Sequence, residues 1–552
     1  MHPYGVWSLV PPIIVLALGY STRQVYIPLL AGIFSGAYIA AHGALISGLL
    51  LGTERIVEQF ELAHLFGDRP LLDGWNILIG IFFIQLGTIL KLIHASGGAK
   101  AYHRWVEKRL SSPRMIECGS LLLSLCLFID DYFSALTVGS VMSMLTDKYR
   151  IARAKLAFLV DALASPLAMI CPVSSWVAAV VGFLKEGGVE LHGGENIVIH
   201  GSPYIAYLSI LPYVSYSWLI FFGVWFIVLR KISYGCMAKR ERVCQATGDV
   251  HGGLINHKTR SQITSSSPIT VDSRIADFIA PIVILTVSIF LGIIYSGYVA
   301  GTPFNMVEAM RNASAAKGLV YGGTSALIWI VSFILVRGRL TPHQIGRCTI
   351  EGLQLMAPSI LVLILAWSFG AVVRDDLQTG SYIAQSCAQN IPHMVIPFVF
   401  FLVSFVIAFS LGTSWGAAAI LFPIGIQMIV NLPEYQSTEL TLEMILPMLA
   451  PSLAAVLSGA VAGDHVSPIS DTTIMSSTST AMDHHDHVRT QVDYAWPVIS
   501  TCALSYLLYG FFYESKLSMP WLLSLCICWS LLAVIYTWMH RREQLTPPNS
   551  SD

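Results

Sequence analysis

The chain has 552 residues, of which 55% are hydrophobic and only 12% are charged, against about 25% charged in an ordinary soluble domain. Mean hydropathy is +0.65, and 32 Lys and Arg stand against 33 Asp and Glu, a formal net charge of -1. So few charges cannot cover a water-soluble globule, and no global positive field exists to attract a polyanion. A soluble enzyme, a disordered chain and a nucleic-acid binder are therefore excluded, and the composition reads as a polytopic membrane protein.

The N-terminal string MHPYGVWSLVPP has no basic region ahead of its apolar stretch, so no cleavable signal peptide is expected. A run of about 20 apolar residues crosses the bilayer core as a helix. On that basis the sequence predicts crossings near 6–22, 24–51, 75–97, 153–183, 204–229, 276–298, 319–336, 351–373, 444–480, 494–513 and 519–539. Ten cysteines lie scattered without a CxxC pair and read as small apolar residues, not as a disulfide framework or a zinc site.

Basic residues in the connecting segments set direction. They gather at Lys100, Arg104, Lys108, Arg109 and Arg114, at Lys148, Arg150, Arg153 and Lys155, throughout 230–274, and again at Arg337, Arg339, Arg347, Arg489, Arg541 and Arg542. The alternate segments 52–74 and 431–443 are acidic. The sequence thus predicts an inner-membrane protein with its N-terminus outside and its C-terminus cytoplasmic. Two further apolar stretches, 115–146 and 392–430, each have segments of one charge type at both ends, so each is expected to enter and return on the same side. Their polar centres are Asp130-Asp131-Tyr132 and Gly412-Thr413-Ser414-Trp415-Gly416; non-helical backbone at that depth needs protein or a wet cavity around it.

The expected fold class is an all-α polytopic membrane protein made of two inverted repeats, each with five transmembrane helices plus one re-entrant hairpin, and one extra C-terminal helix. The expected divisions are 1–230 for the first repeat, 231–274 for a cytoplasmic loop, 275–513 for the second repeat, and 514–552 for the extra helix and tail. Secondary transporters use this plan, with their sites where broken helices meet.

Ionisable residues inside spans are costly and mark function. The paired carboxylates Asp130 and Asp131 are candidates to hold a cation or share a proton. Asp161 precedes Ser165-Pro166 and Pro172-Val-Ser174-Ser175, where the prolines are expected to break the helix and free carbonyl and hydroxyl oxygens. Asp464 and Asp471 lie in GDHVSPISDTT and are the first choice for ion duty. They share a face if the segment is helical, or flank an unwound turn if Pro468 breaks it. Ser467, Ser470, Thr472, Ser174, Ser175, Thr413 and Ser414 are the neutral oxygen candidates. The string Asp483-His484-His485-Asp486-His487 matches no zinc spacing and reads as a polar linker, with pH sensing as the alternative.

The strings DDYFSALTVGSVM, TDKYRIARAKLAFLVDALASP, CPVSSW, GTSWG and GDHVSPISDTT followed by HHDHVRTQ resemble the NhaC family of bacterial sodium/proton antiporters, part of the ion transporter superfamily, from about residue 5 to 515. The insert VCQATGDVHGGLINHKTRSQITSSSP has no counterpart in that resemblance and is expected to be a disordered cytoplasmic loop. The resemblance implies sodium extrusion in exchange for protons by competition at buried carboxylates, with Na+ and H+ as transported ions, no cofactor, no resident metal and no enzyme activity. It also implies, as the alternative, exchange of a lactate- or malate-type organic anion coupled to sodium or protons. The expected partners are the two ions and membrane lipid, with a second copy of the chain as a candidate and no nucleic acid.

Overall fold

The computed structural model describes residues 3–22, 26–61, 74–109, 112–190, 198–253, 274–298, 305–379, 382, 392–435, 440–468, 470–515, 517 and 519–545. In chain order the helices are α1 (Val10–Thr22), α2 (Tyr26–Ala40), α3 (Leu45–Glu58), α4 (Trp75–Ala95), α5 (Gly98–Glu107), α6 (Pro113–Cys126), α7 (Asp131–Lys148), α8 (Arg153–Ile170), α9 (Ser175–Glu186), α10 (Pro203–Ile210) and α11 (Ser215–Arg230). They continue with α12 (Gly235–Thr247), α13 (Ala276–Ser296), α14 (Met306–Arg311), α15 (Ala315–Val336), α16 (Pro342–Ala371), α17 (Ile396–Leu411), α18 (Ser414–Val430), α19 (Leu442–His465), α20 (Asp471–Ser479), α21 (His484–Glu514) and α22 (Pro520–Leu545). The strands among the described residues are one parallel pair of two residues each, Val189–Glu190 with Ile199–His200. Nine helical segments among the described residues are long and apolar enough to cross a bilayer, and α8 with α9, bent by 51° at their junction, make a tenth if counted as one span. The helical content follows from the medium: without water, backbone groups are satisfied within each segment.

Each polar motif singled out above coincides with a helix break. Backbone leaves helical geometry at Leu127–Asp130 between α6 and α7, at Cys171–Ser174 between α8 and α9, at Gly412–Thr413 between α17 and α18, and between Val466 and Ser470. Local chemistry explains the restarts. Asp130 caps α7 by accepting from the Phe133 amide at 2.9 Å, and Ser470 caps α20 by accepting from the Thr473 amide at 3.3 Å; such caps satisfy otherwise orphaned donors. Gly412 closes α17 at φ +66°, a left-handed conformation that glycine adopts without steric cost. Pro166 is accommodated within α8, while Pro172 falls in the break that follows.

Three sequence readings are corrected. The stretch 24–51 is not one crossing: the chain turns at Ala41–Ala44, with His42 and Gly43 at positive φ, and divides into α2 and α3. The stretch 444–480 divides into α19 and α20, as Pro468 removes a donor where the helix stops. The segment 231–274, expected as a cytoplasmic loop, is not wholly loop, because Gly235–Thr247 forms α12, closed by Gly248 at φ +79°. Residues 254–273 of that segment lie outside the described residues.

The chain resolves into two compact units. The first comprises 1–96, 172–214 and 279–463; the second comprises 97–171, 215–278 and 464–552. In the first, α4 packs on α15 and α16, and α18 packs on α9, α16 and α17. In the second, α8 is central, with α6, α7, α11, α20 and α21 around it; its residues from Ala154 to Met169 are buried without exception, which explains why apolar residues occur all around it. Both units draw on both halves of the sequence.

In the second unit α7 and α20 meet at Gly139. A Cβ there would fall on the Ser479 hydroxyl, which donates to the Ala135 carbonyl at 2.8 Å. Gly139→Val is therefore expected to force the two helices apart and to destabilise the purified protein by about 1–3 kcal/mol, read as a lowered Tm in detergent. An unchanged Tm would refute this packing.

Candidate ion-binding site

The site is assembled from three helices of the second unit. Asp161, halfway along α8, is 3% exposed. A lone ionised carboxylate at that depth is strongly unfavourable, so its partners decide what it does. Thr473 Oγ1 donates to Asp161 Oδ2 at 2.9 Å and Ser476 Oγ donates to Oδ1 at 3.3 Å. Gln491 Nε2 donates to Oδ2 at 2.6 Å, and His487 Nε2 lies 3.4 Å from the same oxygen. All four partners are buried to within 0% exposure.

Helical spacing makes this possible. Thr473 and Ser476 are three apart on α20, and His487 and Gln491 are four apart on α21, so each pair lies on one face. Asp471, Ile474 and Thr478 occupy the exposed face of α20, while Thr473, Ser476 and Ser477 turn inward. The α21 pair thus supplies one imidazole and one amide, and the α20 pair supplies two hydroxyls.

A second layer surrounds the helix restarts. Asp130 and Asp131 are each 1% exposed. Asp131 Oδ2 accepts from Ser165 Oγ at 3.1 Å, which ties the start of α7 to α8. The Tyr132 hydroxyl donates to Asp471 Oδ2 at 3.4 Å, although the Asp471 residue as a whole is exposed. Asp464 is buried near the end of α19, and its carbonyl accepts from the Ser467 amide at 2.9 Å. His465 Nδ1 and the Tyr216 hydroxyl are 2.6 Å apart, and the His465 carbonyl accepts from Gln491 Nε2. Gln491 therefore bridges Asp161 and the end of α19. Ser470 Oγ and Thr472 Oγ1 are 3.1 Å apart, and Ser467 is buried.

Sequence-named residues divide between the units. Asp130, Asp131, Asp161, Asp464, Ser467, Ser470, Asp471 and Thr472 belong to the second unit. Ser174, Ser175, Thr413 and Ser414 belong to the first, where they are buried at the starts of α9 and α18. There the Thr413 hydroxyl accepts from the Gly416 amide at 3.5 Å. The rings of Trp176 and Trp415 pack with centroids 5.1 Å apart, and Phe83 sits edge-on to Trp415 at 5.8 Å. The Pro172 carbonyl at the α8–α9 break accepts from the Tyr204 hydroxyl at 3.1 Å.

Residues 167–511 match the model of the Na+/H+ antiporter family, which covers more than half the chain and takes in the three helix breaks described after Asp161. The chain belongs to that family. An uncharacterized protein of Haemophilus influenzae is 30% identical over 515 residues, 92% of either chain. The Bacillus subtilis Malate-2H(+)/Na(+)-lactate antiporter is 26% identical over 201 residues, 34% of this chain and 37% of its own. Among solved structures, the Alcanivorax borkumensis YdaH transporter matches with TM-score 0.46 and 13% identity over 84% of this chain and 89% of its own. Neisseria gonorrhoeae MtrF matches with TM-score 0.40 and 12% identity over 84% and 85%. With its apolar helices, this antiporter-family chain is a multi-pass membrane transporter, and the resemblance read from its motifs holds.

Four members of the Asp161 constellation in this antiporter-family chain, Thr473, Ser476, His487 and Gln491, are not among the site residues read from the sequence. The reading of 483–487 as a linker is corrected. Asp483 caps α21 by accepting from the Asp486 amide at 3.0 Å, and the cluster is the first turn of that helix. Its imidazoles diverge: His484 contacts Ser477 Oγ and the Pro468 carbonyl, whereas His487 faces Asp161. The signal available in sequence was the spacing of His487 and Gln491, one helical turn apart in HHDHVRTQ.

Proposed function

We propose that this transporter is a secondary active sodium/proton antiporter in which Na+ and H+ compete for buried carboxylates, with Asp161 as the principal ion-carrying group. The observation that carries the reading is the Asp161 constellation: one carboxylate and two hydroxyls supply hard oxygen ligands of the kind an alkali cation takes, and an imidazole stands beside them. A cation entering the cluster favours the ionised carboxylate, and its departure leaves the buried group to take a proton. Asp131 and Asp464 are secondary candidates on account of their burial. Asp130 serves as a helix cap, and Asp471 is the more accessible carboxylate. Ser467, Ser470 and Thr472 remain neutral ligand candidates in the same unit, as do Ser174, Ser175, Thr413 and Ser414 at the tips of α9 and α18. The inverted-repeat plan, with one repeat in 1–230 and the other in 275–513, is proposed alongside, as is an outside N-terminus. Helices interrupted at corresponding places support that plan.

A second reading, exchange of a small organic anion with sodium or protons, is favoured by the malate/lactate antiporter relative. Against it, the buried cation Lys155 is already engaged by two glutamates.

Purified protein in liposomes, with voltage clamped and organic anions omitted, tests both. A sodium jump is expected to drive proton movement at once, and added lactate or malate is expected to leave the rate unchanged. Proton movement that appears only with the organic anion would replace the first reading with the second.

A further inference from the structure

Helix α12 reaches two of the three helices that build the Asp161 site, α8 and α21, and it belongs to the same compact unit. Toward α21, Arg240 forms a two-pronged pair with Asp486, Nε to Oδ2 at 3.1 Å and Nη2 to Oδ1 at 2.7 Å. Paired donors of this geometry fix orientation as well as distance. The remaining prong, Nη1, donates to the Gly252 carbonyl at 2.8 Å, so the guanidinium is itself held from behind. Asp486 is 6% exposed and sits in the first turn of α21, immediately before His487. Its carbonyl also accepts from Thr490 Oγ1 at 2.9 Å, next to Gln491.

Further ties prevent α12 from swinging away. The Cys236 amide donates to Asp493 Oδ2 at 2.9 Å, the Tyr234 amide donates to the Tyr494 hydroxyl at 3.0 Å, and the Tyr234 and Tyr494 rings stack at 4.3 Å. Toward α8, the neighbouring Glu241 accepts from Lys155 Nζ at 2.7 Å, less than two turns before Asp161.

Resting on the proposed role of Asp161, we infer that Arg240 is a positioning residue for the ion site. From α12 it clamps Asp486, fixes the first turn of α21, and so sets His487 and Gln491 against Asp161. It touches neither ion. The 231–274 segment, through α12, is thus part of the transport unit and not a passive connector.

The test uses the full chain with Arg240→Gln and the exchanged pair Arg240→Asp with Asp486→Arg. Hydrogen–deuterium exchange over residues 484–492 is measured in detergent, and sodium KM and maximal rate are measured in liposomes. Arg240→Gln is expected to raise amide exchange over 484–492 roughly tenfold and sodium KM roughly tenfold, with a smaller change in maximal rate. The exchanged pair is expected to recover most of both losses. Faster amide exchange with unaltered KM, or no change in amide exchange, overturns the inference, as does failure of the exchanged pair to recover KM when its Tm matches the parent. If the parent chain moves an organic anion instead, the same KM comparison is made with that cargo. If the parent moves no cargo, the proposed function fails while amide exchange still decides whether Arg240 holds the turn.

Discussion

Asp161→Asn is expected to abolish sodium/proton exchange, lowering the rate in liposomes by about 100-fold or more. The substitution keeps shape but removes the charge, and hydrogen bonds to charged groups contribute about 1.5–3 kcal/mol each, more than neutral ones. Four buried partners converge on this one carboxylate, so the loss is shared by the whole constellation. Asp130→Asn and Asp471→Asn, changed in parallel, are expected to retain most activity, because the first keeps a capping oxygen and the second lies at an exposed position. Fluorescence quenching driven by a sodium pulse is the measurement. Exchange by Asp161→Asn at even a third of the parent rate would remove Asp161 from the mechanism and return attention to Asp464.

The second large effect concerns stability. Lys155, 6% exposed, sits between Glu241 at 2.7 Å and Glu117 at 3.3 Å, and Ser233 Oγ donates to the second Glu241 oxygen. Lys155→Met strands two buried carboxylates and is expected to cost about 3–5 kcal/mol, read as a fall in Tm of the purified protein. Replacing all three groups at once, Glu117→Gln with Lys155→Met and Glu241→Gln, is expected to recover most of that loss, since no uncompensated charge remains. A single variant as stable as the parent would show that the triad is not buried as described. The triad joins α6, α8 and α12, so its loss would also loosen the frame that carries Asp161.

The sequence made the broken helices legible because breaks have local causes. Pro172, Pro468 and Gly412 interrupt apolar runs, and Asp130, Thr413 and Ser470 are cap residues at the restarts. Asp161 was legible for a different reason, since a carboxylate in the middle of a predominantly apolar helix has no packing explanation. Its partners were not legible, because they lie more than 300 residues away in the chain and only the packing of α8, α20 and α21 brings them near. The preference for Asp464 and Asp471 rested on the density of polar residues in one string. Density does not say which way a side chain turns, and α20 turns Thr473 and Ser476 inward while Asp471 faces out. The second helix was misread through length: 24–51 carries no Asp, Glu, Lys or Arg, yet His42 and Gly43 adopt a turn within it.

Thr473 and Ser476 differ in kind from Gln491 in what they permit. A side-chain amide nitrogen only donates, so Gln491 grips a bare carboxylate and has nothing to offer a metal ion from that atom. A hydroxyl has both a proton and lone pairs, and rotation about a single C–O bond exchanges one for the other. The same two oxygens that now present hydrogen to Asp161 can present lone pairs to a cation lodged beside it, without any backbone displacement. On the proposed role of Asp161, cation loading would ask of these two side chains only the swivelling of their hydroxyl hydrogens.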